Sequence, residues 1–111
     1  MRIAFYGNFS RERKTQLRGM AILRGHTVVY NPQKAAKVFT MAYPANLNRM
    51  DVIRKRGGFV VVLATIILKE EVIGAYFKAG AYDVTDCPCT DDGVDAMLAM
   101  LESEMKEIFS E

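Results

Sequence analysis

Cysteines, histidines, long apolar runs and, in one half, aspartates are all scarce in this 111-residue chain, and each scarcity removes a class of protein. Its two cysteines, Cys87 and Cys89, flank Pro88, where a mutual bridge would be strained, so a disulfide scaffold is excluded. With His26 alone, the two thiols cannot complete the four ligands that structural zinc requires. A redox dithiol needs two intervening residues rather than one. The longest apolar stretch, residues 59–68, is too short to span a bilayer and suits a buried strand. Residues 1–7 enter a strand pattern directly, without the layout of a signal peptide, which together with free thiols predicts a cytoplasmic protein. There is no internal repeat or low-complexity tract, which excludes solenoids and fibres.

The chain is half hydrophobic (50%) and a quarter charged (25%), enough for one well-filled domain over residues 1–111. The net charge of +2 conceals a segregation. Residues 1–58 hold twelve basic side chains against two acidic ones, net +10; residues 59–111 hold three against eleven, net −8. If the basic first helix and the acidic last helix lie on different faces, the molecule is a dipole. It would then capture an acidic protein partner or form a homodimer.

The pattern along the chain is strand, helix, strand, repeated. Residues 2–6 read as a strand ending at Gly7. Ser10 caps a helix to about Leu23, with Leu17, Met20, Ala21 and Leu23 inward and Gly25 as its stop. Residues 27–30 form a second strand, and the crossover makes the pair parallel. In the middle, Asn31-Pro32 followed by Ala35, Val38, Phe39 and Ala42 at helical spacing predicts a helix over residues 32–42. The rival reading makes residues 37–41 a strand, at the cost of a short crossover. Residues 45–56 give a helix with Leu47, Met50, Val52 and Ile53 inward; 59–64 give a strand covered on both faces. A helix over 69–79 buries Val72, Ile73, Tyr76 and Phe77, and 81–85 form another strand. Thr90 then caps a last helix whose stripe is Val94, Met97, Leu98, Leu101, Met105 and Ile108. The expected fold is a three-layer, doubly wound α/β sandwich around a four- or five-stranded parallel sheet.

From Gly58 to Leu101 the sequence resembles the response-regulator receiver domain, a flavodoxin-like fold. The run from Phe59 to Thr65 looks like that family's fourth strand. Ala79-Gly80-Ala81-Tyr82-Asp83 and Cys87-Pro88 are similar to its alanine-glycine-alanine turn, fifth strand and lysine-proline motif. Residues 1–31 resemble its first β-α-β unit. The resemblance implies signal transduction, with an acidic pair holding Mg²⁺, an aspartate acceptor on the third strand and a lysine on the fifth. Here the acidic-pair position reads Gly7-Asn8 and the lysine position Cys87. No aspartate occurs between Phe9 and Met50, where Thr40 is the nearest equivalent of the acceptor. The hydroxyl after the fourth strand falls on Thr65 or Ala64. Without clustered carboxylates nothing gathers a hard divalent cation, so a pseudo-receiver without metal or cofactor is expected.

Ligands of parallel α/β folds bind at the carboxyl ends of the strands. Gly7, Asn8, Ser10, Arg11, Arg13, Thr65 and Cys87 are therefore the candidate ligand-binding residues, with the first helix N-terminus favourable to an anion. The loop lacks the glycine spacing of a dinucleotide fingerprint or a P-loop. Arg11, Lys14 and Arg18 make a basic stripe that, with Tyr82 and Asp83, is the candidate partner surface; Arg54-Lys55-Arg56 is a second basic cluster. No helix-turn-helix spacing or aromatic RNA platform accompanies them, so nucleic acid is disfavoured. No catalytic constellation is present. The expected function is a non-catalytic, phosphorylation-independent regulatory module acting by protein–protein interaction. The alternative is a domain, or vestigial enzyme, that binds a phosphate-containing small ligand such as a nucleotide or sugar phosphate.

Overall fold

The computed structural model describes residues 1–30 and 37–109. The elements run β1 (Arg2–Tyr6), α1 (Arg11–Leu23), β2 (Thr27–Val28), β3 (Val38–Ala42), α2 (Leu47–Lys55), β4 (Phe59–Ala64), α3 (Glu70–Lys78), β5 (Asp83–Asp86) and α4 (Asp91–Phe109). The five strands form one sheet in the order β2-β1-β3-β4-β5, every pairing parallel. Successive side chains of a strand point to opposite faces, so each strand feeds two cores. Ile3, Phe5, Val38, Val61 and Leu63 meet Leu17 and Ala21 of α1 and Val94, Leu98, Leu101 and Met105 of α4. On the other face Ala4, Phe39, Met41, Val60 and Val62 meet Met50 and Ile53 of α2 and Tyr76 of α3. The doubly wound three-layer sandwich is thus observed, with five strands.

The middle of the chain departs from the helix expected over residues 32–42. Residues 38–42 are β3, paired from Ile3–Val38 to Tyr6–Met41 on one side and from Val38–Phe59 to Ala42–Leu63 on the other; residues 32–36 lie outside the described residues. All five β3 residues are buried. A strand covered on both faces has no polar alternation, so its apolar positions imitate a helical stripe. Nine residues separate β2 from β3 in the sequence, fewer than the dozen or so usual for a parallel crossover. Thr40, the buried polar residue of this strand, donates its Oγ1 proton to the Ala4 carbonyl at 3.1 Å.

Helix starts match the capping residues. Ser10 Oγ accepts from Arg13 N–H at 3.1 Å, Asn46 Oδ1 from Arg49 N–H at 3.1 Å, and Thr90 Oγ1 from Gly93 N–H at 3.0 Å. Several positions read as inward are exposed: Leu23 (81%), Leu47, Val52, Phe77 and Ile108. Each sits at the margin of an apolar stripe, where helical spacing alone does not fix which edge the sheet covers. β2 ends two residues short of the strand expected over 27–30, and β5 begins two residues after and ends one residue after that expected over 81–85.

The charge segregation does not become a two-faced dipole. Helices α1 and α4 are neighbours on the same face, and Arg24 at the α1 C-cap pairs with Asp95 and Glu102 at 2.7 Å each. Gln16 Nε2 also donates to Asp91 Oδ1 at 2.9 Å. The basic and acidic helices therefore meet at one seam, where Arg24 neutralises Asp95 and Glu102. No helix among the described residues is long and apolar enough to cross a membrane.

Candidate functional site

Strand order reverses between β1 and β3, because β2 is laid to one side of β1 and β3 to β5 to the other. At such a switch point the loops leaving the two strands diverge and open a crevice at the carboxyl ends. The crevice here is a cleft of about 460 Å³, lined by Gly7, Asn8, Lys14, Arg18, Tyr30, Met41, Ala42, Pro44, Ala45 and Asn46, with Phe5 and Tyr6 below.

Gly7 shapes its floor. Its φ of 100° lies in the left-handed region, and a Cβ there would come within 3.3 Å of Ala42 N. The β1 end is consequently pressed against the β3 end, as only glycine allows. Lys14 and Arg18, one turn apart on α1, form one wall. The Arg18 guanidinium lies over the ring of Tyr30, two residues past β2, 4.6 Å from its centroid, a cation–π contact. On the opposite wall the Tyr43–Pro44 peptide is cis, and Asn46 starts α2. Arg49, in the first turn of α2, covers the Tyr6 ring at 4.9 Å. The described lining holds two cations and no carboxylate.

The other candidate ligand residues are placed elsewhere. Arg13 Nη1 donates to Gln16 Oε1 at 2.7 Å and to the Pro88 carbonyl at 2.9 Å, so it ties α1 to the loop before α4. Ser10 and Arg13 border a separate depression with Glu12, Gln16, Cys89 and Asp91. Arg11 is exposed outside both hollows, and its carbonyl accepts from Thr15 Oγ1. Thr65 is exposed after β4, and Cys87 N–H donates to the Ala64 carbonyl at 2.7 Å. Cys87 is half-buried against the α1/α4 core, and burial pushes its thiol pKa up, opposed by nearby Arg13 and reinforced by Cys89. Of the ligand set, then, the structure brings only Gly7 and Asn8 to the cleft. It joins them to Lys14 and Arg18 of the expected partner surface. Tyr82 and Asp83 lie far along the sheet at the β5 edge, with Tyr82 edge-on to Phe59 at 5.5 Å. Asn46 escapes the sequence reading because taking β3 as a helix obscures where α2 begins; its place just before Leu47 is the capping signal that could have found it.

No protein-family model and no curated protein sequence matches the chain. Solved structures do. A response regulator from Thermotoga maritima superposes with a TM-score of 0.74 at 17% identity, covering 92% of this chain and 97% of that one. An orphan response regulator of H. pylori gives 0.74 at 16%, covering 93% and 94%. The receiver domain of ChxR from Chlamydia trachomatis gives 0.66 at 14%, covering 93% and 96%. The fold is that of response-regulator receiver domains.

Within the receiver fold, the positions expected to carry phosphoryl chemistry can be located. Gly7-Asn8 ends β1 at the cleft, and β3 reads Val38-Phe39-Thr40-Met41-Ala42 without an acid. Thr40, nearest to an acceptor in sequence, is sealed inside the sheet with its hydroxyl engaged. Cys87, expected at the lysine position, follows β5. Magnesium prefers carboxylate and water oxygens, and a lining of ammonium, guanidinium, amide and methylene groups does not fit it. Among the described residues, no three His, Cys, Asp or Glu side chains are grouped to hold a metal.

Proposed function

We propose that this chain is a non-catalytic, phosphorylation-independent regulatory module, a pseudo-receiver that works by protein–protein contact on a receiver scaffold. The observation that carries this reading is the lining of the switch-point cleft. Carboxylates are absent from Gly7, Asn8 and all of β3, and cations stand on the α1 wall instead. An aspartyl phosphate needs both an acceptor and a metal to neutralise the transferring group, and neither donor set is there.

The contact surface we assign is the edge formed by α3, β5 and α4. Ile67 is 96% exposed and Ile66 and Phe77 are also open, while Ile67, Ile73 and Val84 border one hollow of about 190 Å³ that Thr85 and Asp86 complete. Ile73 and Phe77 are one turn apart on α3, so the hollow and Phe77 share a side. Among the described residues, β5 is the last strand of the sheet, paired only with β4. Exposed apolar groups gathered around a sheet edge favour burial against another protein. The basic stripe is the weaker candidate for that role, because Lys14 and Arg18 line the switch-point cleft rather than an apolar sheet edge.

Light scattering over a concentration series, with and without acetyl phosphate and Mg²⁺, tests the reading. Self-association that Ile67→Asp or Phe77→Asp abolishes and that acetyl phosphate leaves unchanged is expected. Association that ignores both substitutions, or that responds to acetyl phosphate, contradicts it.

A further inference from the structure

The cleft at the switch point holds an unusual charge arrangement. Lys14 and Arg18 line it one turn apart, and neither has an acidic partner among the described residues. Arg18 Nε is fully buried and, among the described residues, finds no hydrogen-bond acceptor. A buried cationic donor left unmatched costs free energy, because the water it gave up is not replaced. Tyr30 holds the guanidinium against its ring, 4.6 Å from the centroid, and guanidinium donors suit a planar or tetrahedral anion. Across the cleft, the α2 N-terminus adds the positive end of a nine-residue helix, and Arg49 adds a further cation over Tyr6. The floor is apolar at Met41, Ala42 and Pro44. The volume of about 460 Å³ exceeds what a bare phosphate needs and lies within the range of small-molecule sites, roughly 300–1,000 Å³.

We propose that this cleft binds a phosphate-bearing small molecule of nucleoside-monophosphate size. The phosphate is held by Lys14 and Arg18 and faces the N-terminus of α2, and the organic part rests between Tyr30 and the Met41–Pro44 floor. The site is non-covalent, so it stands apart from the question of aspartyl phosphorylation. A bound ligand would report to the rest of the domain by bridging the middle of α1 to the start of α2.

The test is calorimetric titration of the full chain at low ionic strength with AMP, inorganic phosphate and adenosine, read alongside backbone amide NMR shifts. AMP is expected to saturate the protein, to bind more tightly than inorganic phosphate, and to shift the amides of Gly7, Asn8 and Asn46. Adenosine alone should bind far more weakly. Lys14→Met and Arg18→Met should each weaken AMP by about tenfold or more, as loss of a charged hydrogen bond does, and Lys78→Met on α3 should not. Thermal melts verify that the variants fold. No binding of either AMP or phosphate overturns the proposal, as does AMP affinity that both cleft variants retain. Adenosine binding as tightly as AMP would remove the phosphate from the recognition, and AMP binding no tighter than phosphate would remove the organic part; either result overturns the proposal too.

Discussion

Arg24 and Glu102 form a two-pronged ion pair across the α1/α4 seam, Nε to Oε1 and Nη2 to Oε2, each at 2.7 Å. The geometry joins the C-cap of the basic helix to the middle of the acidic one. His26 Nε2, on the turn after α1, approaches the same carboxylate. The hydrogen bond from Arg24 comes first in holding Glu102 down to about 2, against an ordinary value near 4.5, with His26 adding to it and burial opposing it.

A carboxylate depressed on folding stabilises the protein fully above its unfolded value and progressively less as pH falls through its folded value. Acid should therefore weaken the α1/α4 seam between about pH 4.5 and 2. The group is partly open to solvent, so the contribution is about 1 kcal/mol or less. Urea melts at neutral and acid pH should show Glu102→Gln losing this much at pH 7 and nothing further from this site on acidification. A variant as acid-sensitive as the wild type in that window would refute the assignment.

Core and stripe-margin leucines should separate sharply. Leu98 is fully buried between α4 and the sheet, and Leu98→Ala should cost about 2–5 kcal/mol. Leu23, at 81% exposure, should lose less than about 0.5 kcal/mol as alanine. Denaturant midpoints for the two variants give the comparison. Equal losses would mean that Leu23 is covered, as helical spacing alone suggests.

Those leucines also show where the fold is legible in the sequence. The ends of β1, α1 and β4 can be read to the residue, because Ser10, Gly25 and the β-branched run of 59–64 are strong local signals. β3 is not legible as a strand, since being covered on both faces erases its alternation. The cleft is half legible. Gly7 and Asn8 emerge from the rule for strand ends, but Lys14 and Arg18 read as an outer stripe. Only the third dimension, with Tyr30 beneath Arg18, turns them toward the cleft. The charge segregation is visible in the sequence, but its pairing across α1 and α4 depends on tertiary packing.

Gly7→Ala should destabilise by about 1–3 kcal/mol, for it places a side chain at a positive φ and against Ala42 N. Gly57 also has positive φ but opens to solvent. Gly57→Ala should therefore cost less, nearer ~1 kcal/mol. Thermal melts of both variants decide this, and a Gly7 variant as stable as the Gly57 one would remove the close approach from the account.

Thiol reactivity should track burial. Cys89 is exposed, whereas Cys87 is half-buried with its pKa pushed up. Thiolate is the reacting form, so iodoacetamide should modify Cys89 first, with Cys87 labelled only on unfolding. Peptide mass mapping over time reads the order. Prior labelling of Cys87 would show it to be an activated thiol at the end of β5.

Intact mass after incubation with acetyl phosphate and Mg²⁺ tests the central claim most directly. The lining of Gly7, Asn8, Lys14, Arg18 and Met41, with Cys87 after β5, offers neither an acceptor carboxylate nor a magnesium site, so the mass should stay that of the unmodified chain. A single phosphoryl adduct, lost on mild base treatment as an acyl phosphate is, would contradict the reading of this receiver fold as independent of phosphorylation.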